Sequence, residues 1–180
     1  LMTQDANSVE QAIATTLELK RFFTKKDIMA RSIQVIQQAI AHGVTHMRCH
    51  VEIDPIVGLL GLIVMLELKE LYLHQITLQI VAFPQEGIAK QPGTAELLNQ
   101  AMLLGADVVG GITYQDEDLE AHLSTVFNLA KTFNKPVDLH VDFSDDPSML
   151  AILTIIRMTH EYGMQGRVSV GHLTSLGSLP

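Results

Sequence analysis

The residues best equipped for chemistry gather in one short phrase, Asp138-Leu139-His140-Val141-Asp142, followed by Phe143-Ser144-Asp145-Asp146. Polar and apolar positions alternate through it, as in a strand with two unlike faces. The alternation predicts Asp138, His140 and Asp142 on one face, with His140 and Asp142 side by side at the C-terminal end. A neutral imidazole is a preferred ligand for zinc or iron, and a carboxylate beside it can orient it or move protons. Gly171-His172 puts a second imidazole at the end of the next predicted strand. Taken singly, each His better suits a packed core position or a strand cap. Two imidazoles ending adjacent parallel strands, one beside a carboxylate, point instead to a site.

Two further groups are polar in an otherwise apolar setting. Arg48, His50 and Glu52 alternate with Cys49, Val51 and Ile53, so they either line a pocket or form a buried, paired network. Pro84-Gln85-Glu86-Gly87 directly follows the run Gln79 to Phe83. A Gln there offers a donor and acceptors to a planar heterocycle, but Pro and Gly are the usual turn residues, and from spacing alone an ordinary turn is the better reading. Gly110-Gly111 is not a dinucleotide fingerprint, and no phosphate-binding loop is present. The run Asp116-Glu117-Asp118 reads as a solvated helix start favoured by the macrodipole. The eight Met residues sit mostly at helical core spacing.

These residues need elements to hold them. Ser8 and Gln11 make a capping-box pattern for a helix to about Phe23, and Thr24 with Asp27 repeats the signal for a helix stopped at Gly43. Strands are predicted at 45–53, 77–83, 106–112, 137–142 and 167–171. Between them, helices are predicted to start at Asp54-Pro55, Thr94, Asp116 and Asp146-Pro147. Strand starts recur roughly every 30 residues, the length of a βαβ unit, which predicts a parallel sheet. An open doubly wound sheet would bury both faces of each strand. The polar faces at Arg48–Glu52 and Asp138–Asp142 favour a (β/α)8 barrel whose interior opens on a site. A whole barrel needs eight strands in about 250 residues. The chain therefore reads as one partial barrel domain, residues 1–180, carrying five of the eight parallel strands. Its opening on Leu1 and its stop at Pro180 suit a piece of something longer.

Composition narrows the classes. Net charge is −8, with no basic block, which argues against nucleic acid and anionic membrane surfaces as partners. The longest uncharged run, Pro55 to Leu66, is too short to span a bilayer. A single cysteine, Cys49, excludes an intrachain disulfide. A cytoplasmic protein acting on a small molecule is expected, with a homo-oligomer left open.

Together, the phrases Arg48-Cys49-His50-Val51-Glu52, Leu78 to Ile88 (LQIVAFPQEGI), Gly105 to Gly110 (GADVVG), Val137 to Asp142 and Gly166 to His172 (GRVSVGH) resemble the cytosine deaminases of the amidohydrolase superfamily. They are also similar to relatives that act on aminotriazine rings, and they run in family order across almost the whole chain. The resemblance implies a metal-dependent hydrolase of a cyclic amidine, with a divalent metal, zinc or iron, activating water. It makes the five strands the second to sixth of the barrel. It makes His140 the metal-binding His of the fifth strand, His172 the sixth-strand His that contacts the metal-bound hydroxide, and Gln85 the reader of the ring's polar edge. Three departures accompany it. The His-x-His pair of the first strand precedes this chain, and the Asp of the eighth lies beyond it, so the metal site is incomplete or absent within these residues. Phe143 stands where the cytosine deaminases carry a proton-shuttling Glu, so either Asp142 or a residue outside this chain takes over that work, or the reaction differs, or none occurs. A barrel that binds a heterocycle without turnover, and a structural α/β domain with packed His residues, are the other two readings.

Overall fold

The computed structural model describes residues 9–144, 146, 148 and 150–179; Ser8, Asp145 and Pro147 lie outside them. Two helices, α1 (Val9–Lys20) and α2 (Lys25–Ala41), precede five repeats of strand and helix or turn. The strands are β1 (His46–Glu52), β2 (Thr77–Phe83), β3 (Val108–Ile112), β4 (Val137–Val141) and β5 (Val168–His172). The helices between them are α3 (Leu60–Leu71), α4 (Thr94–Leu104), α5 (Leu119–Thr132) and α6 (Ala151–Glu161). All neighbouring strands are parallel, and the spatial order is β1-β2-β3-β4-β5. A doubly wound sheet reverses its strand order at a switch point. This sheet only advances, as a barrel does, and forms part of a (β/α)8 barrel.

The two faces of the sheet have different jobs. Cys49, Val51, Leu78, Ile80, Ala82, Val109, Val137, Leu139 and Val141 pack with the helices in the main core. On the opposite face Val81, Phe83, Val108 and Ile112 form a small second cluster. Adjacent glycines in β3 serve both layers. A Cβ on Gly110 would lie 2.8 Å from the Phe83 ring, and one on Gly111 would lie 2.6 Å from Leu139 and 3.1 Å from His122. Close approach of strand to strand and of helix to strand explains the pair.

Helix starts depart from expectation more than strands do. Thr24 caps α2 as predicted, accepting from the Asp27 amide. Asp54 does accept from the amides of Ile56 (2.7 Å) and Val57 (3.0 Å), but it folds a turn, and α3 begins only at Leu60. Thr94 is the first residue of α4 rather than its cap, because Gly93 takes the left-handed conformation (φ 99°) before it. Asp118, not Asp116, caps α5, and α6 begins at Ala151, after the predicted Asp146-Pro147 start. Among the described residues no helix is long and apolar enough to cross a membrane.

Candidate active site

The polar faces of β1 and β4 meet across the inner surface. Arg48 and Gln79 are register partners on β1 and β2, and Arg48 Nε donates to Gln79 Oε1 (2.7 Å). The same guanidinium donates through Nη1 to Asp138 on β4, and His50 Nε2 lies 2.9 Å from the other Asp138 oxygen. Burial opposes ionisation of Asp138, but the bonds from His50 and Arg48 outweigh it and hold its carboxyl below the usual range. An ionised Asp138 accepts, so His50 donates to it from Nε2. Of the two readings open for Arg48 and His50, the paired network is the one observed, and it faces the inner surface. Glu52 pairs elsewhere, with Lys20.

His140 sits above this network. Its ring centroid is 4.4 Å from Phe83, 4.8 Å from His50 and 4.7 Å from His172. Burial first, then the neighbouring His50 and His172, pull its imidazole down to about 4, so it is neutral at physiological pH. Ligand atoms of His50, Asp138 and His140 lie within 4.8 Å of one another. Asp138 is already committed to Arg48 and His50. The His140 imidazole has no hydrogen-bond partner among the described residues, although its backbone carbonyl accepts from Thr113. A neutral, half-buried imidazole without a partner is the chemistry a zinc or iron ligand needs.

The alternation rule fails at two strand ends, in opposite senses. Asp142 has φ 51°, and the left-handed turn carries its side chain away from the face of Asp138 and His140. Its carboxylate instead accepts from the amides of Ala151 (2.7 Å) and Ile152 (3.3 Å) at the start of α6. The predicted catalytic Asp142 is thus placed as the anchor of a helix N-terminus, not beside the imidazoles. His172 would share the outer face of Val168 and Val170, which pack against the core. Its φ of 73° swings the ring back to His140. The two imidazoles do converge at adjacent strand ends. Such backbone conformations are uncommon for residues other than Gly and cluster at functional sites.

Gln85 follows β2 in a tight turn closed by Gly87 N to Pro84 O (3.0 Å), and Gly87 has φ 90°. The Gln85 side chain is half-buried and has no hydrogen-bond partner among the described residues. The neighbouring Glu86 is buried and bonded to Lys20 (2.8 Å). Asp116, expected to be a solvated cap, is a buried acceptor for the amides of Ile88 (2.7 Å) and Lys90 (2.9 Å) and for His122 Nδ1 (2.7 Å). Phe143 lies with its ring 4.8 Å from His172 and stacks on Tyr114 at 5.8 Å. Both rings border a cleft of about 710 Å³ between the loops after β3 and β4.

Sequence reasoning missed Lys20, Asp138 and Asp116 as organisers. Asp138 was legible, lying on the face of His140. Lys20 and Asp116 carry no local signal, because their partners are distant in sequence.

No family model matches the chain. It is 27% identical over 173 residues to the N-isopropylammelide isopropyl amidohydrolase of Pseudomonas sp. (strain ADP), across 95% of this chain and 43% of that protein. A 5-methylcytosine deaminase from Klebsiella pneumoniae, solved with phosphonocytosine, superposes with a TM-score of 0.90 at 32% identity over 96% of this chain and 43% of that one. An N-isopropylammelide isopropylaminohydrolase from Burkholderia multivorans superposes with a TM-score of 0.89 at 32% identity, over 99% and 46%. The chain spans less than half the length of each of these three. In sequence and in fold, the chain is similar to amidohydrolases and deaminases that act on heterocyclic rings.

Proposed function

We propose that the intact protein is a metal-dependent hydrolase that releases ammonia or an amine from a cyclic amidine, a cytosine-like or aminotriazine-like ring. The observation that carries the reading is the convergence of His140 and His172 at the C-terminal ends of adjacent strands, 4.7 Å between ring centroids, where barrel enzymes place their chemistry. His140 would hold the metal, with further ligands from segments outside this chain, because a catalytic zinc-type site keeps three protein ligands. When bound, the divalent ion supplies a water activated for attack at neutral pH.

The residues of this chain do the rest. Arg48 and Asp138 fix His50 and keep the floor of the site ionised and paired. His140 stays neutral and therefore available as a ligand. His172, exposed and turned inward, is the group present that can take and return a proton. Gln85, its amide unspent, reads the donor and acceptor edge of the ring. Phe143 carries no proton. It gives the site an apolar wall with Tyr114 where a Glu would give an acid.

Metal analysis and amine release from a panel of aminopyrimidines and N-alkyl aminotriazines test this in the intact protein. Expected are about one divalent metal per chain and turnover of at least one ring class, both lost in His140→Ala. Retention of metal and turnover by His140→Ala would overturn the assignment. Phe143→Glu should shift preference toward the aminopyrimidines, since it restores an acid and removes the aromatic wall.

A further inference from the structure

We propose that Lys20 is a positioning residue for Gln85, acting through Glu86; the proposal rests on the reading of Gln85 as the group that contacts the ring. Lys20 ends α1, a helix that belongs to none of the strand-helix repeats, and yet it is 2% exposed. Its ammonium lies 2.6 Å from Glu52, 2.9 Å from Asp54 and 2.8 Å from Glu86. These carboxylates come from the end of β1, the turn after it and the loop after β2. Burial alone would lower the Lys20 pKa, but the bonds to Glu52, Glu86 and Asp54 outweigh it and raise it. One buried cation therefore ties three segments at the C-terminal rim of the sheet.

Gln85 is held between this anchor and a second. On one side Glu86 is drawn to Lys20. On the other, Ile88 and Lys90 donate their amides to Asp116. A Cβ on Gly87, between the two, would stand 2.5 Å from an Asp116 oxygen, so the turn fits only with glycine there. Asp54 spends its second oxygen on the amides of Ile56 and Val57, so the Lys20 anchor is itself rigid. With Glu86 spent on Lys20, Gln85 is the residue of the turn left to point its amide at a ligand. Misplacement of such a group by a fraction of a residue's width is costly, because orientation carries much of the rate.

A role through Gln85 and a general structural role differ in their coupling, so the test is a double-mutant cycle in the intact protein. Lys20→Met, Lys20→Arg and Glu86→Gln are each made with Gln85 and with Gln85→Ala, and amine release from cytosine and from N-isopropylammelide is measured. With Gln85 present each change should cost about 10- to 100-fold in kcat/KM, and in the Gln85→Ala background less than about threefold. Equal losses in the two backgrounds, with Gln85→Ala itself damaging, overturn the positioning role and leave the Gln85 reading standing. A Gln85→Ala variant as active as the parent, or a parent that neither turns over nor binds either ring, removes that reading and this proposal with it. Should Lys20→Met not fold, Glu86→Gln still decides, because it leaves Lys20 its bonds to Glu52 and Asp54.

Discussion

Asp142 and His172 show how a single dihedral decides a residue's role. The alternation through β4 is regular, and it places Asp138 and His140 as expected. At Asp142 a φ of 51° ends the alternation and spends the carboxylate on the α6 amides. At His172 a φ of 73° does the reverse. Positive φ at non-Gly residues leaves no mark in composition, so the faces of these two side chains were not legible in the sequence, whereas their location at strand ends was. The same geometry gives a test. Asp142→Ala removes the acceptor for the buried Ala151 amide and the half-buried Ile152 amide, and loss of such a cap costs about 1–2 kcal/mol. The urea midpoint of the intact protein should fall accordingly, and an unchanged midpoint would show that α6 does not depend on Asp142.

At the scale of elements, strands were read well because burial on one or two faces writes itself into the alternation of β1 and β4 and the apolar run of β2. Helix starts were read less well. Asp54, Thr94, Asp116 and Asp146 all look like caps, but loops at the C-terminal rim recruit Asp54, Asp116 and Asp146 for other bonds, and the buried Thr94 hydroxyl has no hydrogen-bond partner among the described residues. Asp116 is the clearest case, since its partners Ile88 and Lys90 lie in the loop after β2 and His122 lies on α5. His122 is neutral by geometry: it accepts the Ile112 amide on Nε2 (3.1 Å) while Nδ1 faces Asp116. Burial lowers its pKa more than Asp116 raises it. A His depressed in the folded state binds its proton preferentially when unfolded, so stability is full above the unfolded value of about 6.5 and declines as pH falls below it. Asp116, also depressed, adds a further loss at lower pH still. Urea midpoints at pH 7.5 and 5.5 should therefore differ more in the parent protein than in His122→Gln. Equal differences would mean that His122 is already charged in the fold.

For the molecule as a whole, burial grades from the middle of the sheet to its edges. β3 is buried throughout, whereas β1 alternates exposed and half-buried positions for most of its length and β5 has no buried residue. Among the described residues β1 pairs only with β2, and β5 only with β4. An apolar groove of about 330 Å³, lined in part by Ile28, Val35, Met47, Cys49 and Met65, runs beside β1. Unpaired edges next to apolar surface invite pairing with other chains, and barrel closure is what removes them. The three relatives named above are each more than twice as long as the stretch they share with this chain. Part of that extra length is expected to cover both edges and to bring the ligands that His140 lacks. The 180 residues expressed alone should accordingly associate as concentration rises, bind zinc weakly and release no amine from cytosine or N-isopropylammelide. Sedimentation and zinc titration check this against the intact protein. A monomeric 180-residue chain that takes up one zinc tightly and turns over either ring would show that five strands suffice, and that His50, Asp138 and His140 make a metal site by themselves.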